Sequence, residues 1–187
     1  MDAPDHPAAA VSRRPNRLPA AAIVPATEAD LPAITDLAGV IWRACYPGII
    51  SPAQIEFMLA RMYATATLRD EIRSRGIHFY RLLAGGQLVG FAALGPTDIA
   101  GVMKLHKLYL LPACHGCGLG SLLLQHTEAE ARKLGARRLI LSVNKRNARA
   151  IAAYQRNGFA VAEAVVTDLG GGFVMDDFVM AKTIAPV

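Results

Sequence analysis

Between Leu105 and Val143 the chain reads as an apolar strand, a glycine-rich loop, an amphipathic helix and a second apolar strand. This order restricts the fold more than any other feature. Leu105–Leu111 is the first strand, and the loop runs Leu111–Pro112–Ala113–Cys114–His115–Gly116–Cys117–Gly118–Leu119–Gly120–Ser121. The helix from about Gly118 to Leu134 carries Leu119, Leu122, Leu123, Thr127, Ala131 and Leu134 on one broad arc. Gly135 ends it, and Arg138–Val143 follows as a strand.

Upstream, Ala22–Ala26 reads as a strand, and Thr27 with Asp30 three residues on opens a helix expected to reach about Cys45. Tyr46–Pro47–Gly48 breaks it. Ser51–Pro52–Ala53–Gln54 then supplies a capping Ser, a Pro at the first helical position and a Gln placed for a capping box, so a second helix should run to about Met62. Leu68–Arg75 reads as a third helix, ended by Gly76. His78–Ala84 and Gln87–Leu94, joined by Gly85–Gly86, form a hairpin. Downstream, Asn147–Asn157 is a helix capped by Gly158, and Phe159–Thr167 with Phe173–Thr183 close the sheet. The order describes an α/β protein of the α+β, mixed-sheet kind.

The 187 residues fit one domain, and 53% apolar content supplies enough surface for a core, which excludes a mostly disordered chain. Residues 1–20 hold Pro4, Pro7, Pro15 and Pro19 with no apolar period, and read as a mobile tail ahead of a single domain over 21–187. No apolar run approaches the roughly 18–20 residues of a membrane-spanning helix. The early acids and prolines do not resemble a secretory signal, and three cysteines are too few for a disulfide scaffold, so a cytoplasmic protein is expected. The net charge of +5 comes from 20 bases scattered among 15 acids without a basic block, which argues against nucleic acid as a partner.

The glycine loop carries the chemistry. Glycines let the backbone turn tightly and approach a ligand, while free N–H groups and the positive end of a helix favour a phosphate or pyrophosphate. No Gly-Lys-Ser/Thr follows, and the third glycine and later acid of a dinucleotide site are missing. An ordinary glycine-rich turn stays open on these residues alone. Cys114–His115–Gly116–Cys117 also spells Cys-x-x-Cys at a helix start, but the glycines account for the segment better than a redox centre. A zinc site would need two further ligands, and His106 and His126 offer no recognised spacing, so no metal is expected.

A second motif follows: Asn147, Ala150, Tyr154, Gly158 and Phe159, in the pattern Asn-x-x-Ala-x-x-x-Tyr-x-x-x-Gly-Phe. With His115, Gly118 and Gly120 in the place of Gln/Arg-x-x-Gly-x-Gly/Ala, the chain resembles the GNAT superfamily of N-acetyltransferases over about residues 21–183. The resemblance implies the acyl-CoA N-acyltransferase fold, a mixed sheet flanked by helices in which two neighbouring parallel strands splay apart around acetyl-CoA. It implies that the backbone of Leu108, Tyr109 and Leu110 pairs with pantetheine amides, a role an exposed strand edge suits. The same resemblance puts the backbone of Gly116, Cys117, Gly118, Leu119, Gly120 and Ser121 at the pyrophosphate and Asn147 alongside the pantetheine. Tyr154 becomes the general acid for the CoA thiolate, a task within reach of a phenol. His115 would keep an N–H donor near phosphate while giving up the permanent charge of an arginine.

The base is where this chain departs from relatives that carry a glutamate five residues before the motif's Asn, because Ser142 stands there. His106, Asp98 or water passing the proton outward are the remaining routes, with solvent preferred and His106 the side-chain candidate. Trp42–Tyr46, Gly48–Ile50 and the helix through Gln54, Phe57 and Met58 correspond to the wall over the acceptor, whereas Ile41, Phe57 and Leu59 read more simply as core. Lys104–Pro112 is similar to branches that include polyamine acetyltransferases, although Glu28, Asp36, Glu56 and Asp98 are few and dispersed for a polyamine site. The expectation is therefore acetyl transfer from acetyl-CoA to a primary amine by direct attack, with a small-molecule acceptor first. A peptide α-amine and a CoA-binding sensor without turnover are the alternatives, and a homodimer is left open.

Overall fold

The computed structural model describes residues 20–185; the tail expected over 1–20 lies outside them except for Ala20. Seven strands form one sheet: β1 (Ala21–Pro25), β2 (His78–Ala84), β3 (Gln87–Pro96), β4 (Val102–Leu110), β5 (Arg138–Asn144), β6 (Ala160–Gly170) and β7 (Phe173–Thr183). Their spatial order is β1-β2-β3-β4-β5-β7-β6. Among the strand pairs of the described residues, only β4–β5 is parallel. Five helices flank the sheet: α1 (Leu31–Cys45), α2 (Pro52–Met62), α3 (Thr65–Ser74), α4 (Leu119–Lys133) and α5 (Ala148–Arg156). Among the described residues no helix is long and apolar enough to cross a membrane.

Local signals explain most of these elements. Gly85 and Gly86 have φ of 57° and 79°, the left-handed pair a tight hairpin turn requires. Asp30 accepts from the Thr27 N–H at 2.8 Å and from its hydroxyl, and a single 3-10 turn at Glu28–Asp30 leads into α1. The Ser51 hydroxyl caps α2 by accepting from the Gln54 N–H. The Gln54 side chain does not complete a capping box; its amide donates instead to the Val174 carbonyl of β7 at 2.7 Å. Two starts differ from expectation. β4 begins at Val102 and α3 at Thr65, the latter capped by Ala64, which has no side-chain acceptor to announce a helix.

The sheet separates two cores. Leu94, Leu105, Leu139, Leu141 and Met180 meet Leu119, Leu123 and Leu124 of α4, with α5 alongside through Ala150, Ile151 and Tyr154. Phe79, Phe91 and Ala93 meet Ile34, Ile41 and Trp42 of α1, Ile55 of α2 and Leu68 of α3. On α4 the buried stripe is Leu119, Leu123, Leu124, Thr127 and Ala131, while Leu122 and Leu134, expected on it, are exposed. The stripe advances by four residues, which turns 122 and 134 onto its flank.

One charged pair is sealed inside the second core. Lys107 of β4 donates to both Glu71 carboxylate oxygens, at 2.7 and 2.6 Å, with side-chain exposures of only 2% and 7%. Tyr63 and Phe79 each present a ring 5.5 Å from the ammonium. Removing one partner leaves the other charge buried and unpaired, which costs about 3–5 kcal/mol, whereas replacing both by apolar residues of similar size is near neutral. Glu71→Gln and Lys107→Met should each lower unfolding free energy by that order in a urea titration. The double variant Glu71→Leu with Lys107→Met should recover most of it.

Candidate active site

The parallel ladder between β4 and β5 runs only from Val102↔Arg138 to Leu105↔Leu141. Beyond it β4 continues to Leu110 on β3, and β5 continues to Asn144 on β7. The two strands part for a local reason. Leu105 pairs with Leu94 and Lys107 with Ala93, so His106 is the extra residue of a bulge, and a bulge bends its strand. The result is a strand edge from His106 to Leu110 facing a gap inside the sheet. Leu110 keeps its side chain in the core and Leu108 is half-buried, so what these residues, with Tyr109, can offer a ligand at that edge is backbone.

The loop after β4 ends in Gly118, the N-cap of α4, at φ 81° and ψ −12°. Among the described residues, no acceptor faces the N–H groups from Gly116 to Ser121, and the first to find one is Leu122, on the Gly118 carbonyl at 3.0 Å. A Cβ built on Gly116 or Gly118 would meet nothing within 4 Å. Six free donors at a helix N-terminus, with open space in front, fit a pyrophosphate. His115 has another use than the one expected. Its Nε2–H donates to the Leu110 carbonyl at 3.0 Å, tying the loop to the strand end, and burial lowers its pKa so that the ring stays neutral. Cys117 is exposed, and no third His, Cys, Asp or Glu gathers with Cys114 and Cys117 among the described residues.

The second motif lies against the first. Asn147 caps α5, its side-chain oxygen accepting from the Ala150 N–H at 3.2 Å, which leaves the amide NH2 free. At the other end of α5, Asn157 donates to the Ser121 hydroxyl at 3.1 Å and so links the helix to the first turn of α4. Tyr154 is half-buried on the α4 face of the sheet, beside Phe159, and burial alone pushes its hydroxyl up to about 12. At neutral pH it carries its proton.

From the opposite face α1 and β4 bring aromatic groups to the gap. Trp42 stacks on Tyr46 with ring centres 4.2 Å apart, and the hydroxyls of Tyr46 and Tyr109 lie 3.4 Å from each other. Burial raises both phenols well above their ordinary value, and Tyr154 adds to the rise in each, so all three rings converge through the gap. Tyr46 falls in the segment expected as acceptor wall, whereas the side chain of Tyr109 was not singled out by the sequence pattern. The buried Trp42, with Ile41, is core as well as wall. His106 sits on the bulge beside Gly95, with its Nε2 buried and without a partner. Burial, followed by the charges of Lys104, Lys107 and Arg75, pushes its pKa down to about 4. A proton acceptor that weak is poorly matched to an ammonium.

The sequence profile of the acetyltransferase (GNAT) family matches residues 40–159. The chain belongs to this family. It is 32% identical over 151 residues to a spermidine N(1)-acetyltransferase of Thermoplasma acidophilum, covering 79% of this chain and 90% of that protein. It is 37% identical over 162 residues to an uncharacterized N-acetyltransferase of Mycobacterium bovis, covering 84% and 99%. Among solved structures it resembles the PaiA N-acetyltransferase of Thermoplasma acidophilum in complex with coenzyme A, with TM-score 0.74 and 28% identity over 88% of this chain and 99% of that one. The protein is an acyltransferase that uses acetyl-CoA as co-substrate.

The acetyltransferase should show the displaced histidine directly. A histidine whose folded pKa lies below its unfolded value of 6.5 stabilises the fold above that pH, and the contribution is lost as pH falls from about 6.5 toward about 4. His115 and His126 are shifted the same way, by less. Nitrogen-detected NMR should find His106 neutral at pH 6, and His106→Gln should flatten the loss of stability between pH 6.5 and 4.5.

Proposed function

We propose that the protein transfers acetyl from acetyl-CoA to the primary amine of a small molecule by direct attack. The observation that carries the reading is the interrupted β4–β5 ladder, which ends on a cradle of six free N–H groups. The edge His106–Leu110 binds the pantetheine through the backbone of Leu108, Tyr109 and Leu110. Gly116 to Ser121 hold the pyrophosphate, and the free NH2 of Asn147 orients the pantetheine from α5. Bound acetyl-CoA supplies the thioester. Tyr154, protonated at neutral pH, gives its proton to the leaving thiolate.

The acceptor comes from the other face, where α1 and α2 stand over β7 and the β6–β7 turn. Gln54 bonds the Val174 carbonyl, Arg61 the Leu169 carbonyl, and Phe57 lies 5.0 Å from Phe173. A small amine is favoured because a spermidine acetyltransferase is among the relatives, aligned over most of both chains. A panel of spermidine, short diamines and an alanine-terminated hexapeptide, followed by thiol release, tests the class. Turnover on the peptide alone would overturn it.

Two substitutions test the roles. Gly118→Asp places a carboxylate in front of the cradle and should abolish acetyl-CoA binding by calorimetry; Gly118→Ala carries the same left-handed strain, roughly 1–2 kcal/mol, and should keep binding. Tyr154→Phe keeps the packing and should lower kcat by roughly 10²–10⁴ with acetyl-CoA affinity little changed.

A further inference from the structure

Asp177 pairs with Asn144, beyond Leu141, where β5 has already left β4. It therefore flanks the gap. Its side chain shares the face of Met175, which packs in the α1–α2 core, whereas Phe178, the next residue along β7, packs on the α4 side. Asp177 and Tyr154 thus approach the gap from opposite faces of the sheet, one toward the acceptor chamber and one toward the thiolate.

The carboxylate is not satisfied. Oδ1 is buried and, among the described residues, has no hydrogen-bond partner, a state that costs about 1–3 kcal/mol for a neutral group and more for a charged one. The neighbouring charges do not meet it. Lys145 is paired with Asp176, and Lys104 feels the Asp177 charge from β4 without forming an ion pair. Tyr46, just past the end of α1, is the remaining titratable group against it, and Glu163 lies two residues along β6 from its strand partner Val165. A buried acceptor beside a gap, facing the chamber from which an ammonium arrives, has the chemistry of a cation's counter-ion.

We propose that Asp177 receives the acceptor's ammonium and takes its proton before attack. The step balances: R–NH3⁺ and carboxylate become R–NH2 and carboxylic acid. The N–C bond then forms as the C–S bond breaks. Tyr154 protonates the thiolate and regains a proton from the acetylated nitrogen, and Asp177 returns its own to solvent. Burial raises the Asp177 pKa above the ordinary carboxylate value; Lys104 and Lys145 oppose the rise and Asp176 adds to it. A raised pKa makes the Asp177 carboxylate a better proton acceptor than an ordinary aspartate.

The inference rests on the amine-acetylation reading, and the two fail separately. The probe is spermidine or, if wild type acetylates only the peptide, the alanine-terminated hexapeptide; failure on both removes both readings. Asp177→Asn keeps the shape. It should lower kcat/KM on the probe roughly 10²-fold at pH 7, with the deficit shrinking as pH approaches the amine's own pKa. Wild type should show an acidic limb above the usual carboxylate range, which Asp177→Asn should lose and Asp177→Glu retain. Calorimetry should find acetyl-CoA affinity unchanged and spermidine binding weakened. Hydroxylamine, already neutral at pH 7, should lose only a few-fold. Wild-type kcat/KM across pH in Asp177→Asn would overturn the proposal, as would a loss equal at every pH or shared by hydroxylamine, which marks packing and not proton transfer.

Discussion

Everything in this enzyme turns on a ladder that stops early. Backbone N–H and C=O groups inside a fold are almost always paired, and a sheet pairs them by keeping neighbouring strands side by side for their full length. Here β4 and β5 part after Leu105 and Leu141, leaving an open edge in the middle of a seven-stranded sheet. A chain with amides of its own suits such an edge, and in the proposed reading the cradle at its end favours one that also carries phosphate.

The opening needs a scaffold that does not close. His106 kinks β4, and the next residue, Lys107, is locked to Glu71 of α3 by two short hydrogen bonds between two aromatic rings. The bulge is thereby held from the α1–α3 side at the point where pairing ends. At the far end of the edge, His115 ties the loop back to the Leu110 carbonyl, and Asn157 ties α5 to Ser121 of α4. Strand, loop and both helices are thus connected around the gap by bonds that leave the cradle's own N–H groups free.

The parts legible in the sequence were local. The Gly85–Gly86 hairpin, the loop opening α4, the Asn147 helix and the order of elements depend on neighbours within a few residues, and the structure has them where the pattern placed them. What depends on register was not legible. The bulge at His106 follows from which β3 residues oppose β4, and the convergence of Tyr46, Tyr109 and Tyr154 requires three elements far apart in the chain. His115 and Gln54 show a subtler loss: their positions were readable, but each side chain found a carbonyl five or more residues away that motif spacing does not reveal. For Asp177 a signal existed. Two adjacent acids interrupt an otherwise apolar strand, and aspartate is depleted in strands.

The acceptor chamber proposed above would draw its walls and its chemistry from different sources. Gln54 reaches the Val174 carbonyl, Arg61 the Leu169 carbonyl, and Arg146 the Ile49 carbonyl at 3.0 Å. Each bond runs from a side chain on one segment to backbone on another, so it holds whatever side chains the receiving segment carries. Residues such as Leu169 and Ile49 can therefore change in size without untying the roof, and chamber shape is separable from roof attachment. The charged and aromatic groups nearest the gap, Asp177, Lys104, Tyr46 and Tyr109, stand on the strands and helix that frame it. If the proposed roles hold, reactivity belongs to that frame and fit to the roof's side chains, so substitutions at Ile49 or Leu169 should shift which amine is accepted while leaving proton transfer intact. Selectivity ratios between spermidine and a short diamine, measured at constant pH optimum, would separate the two.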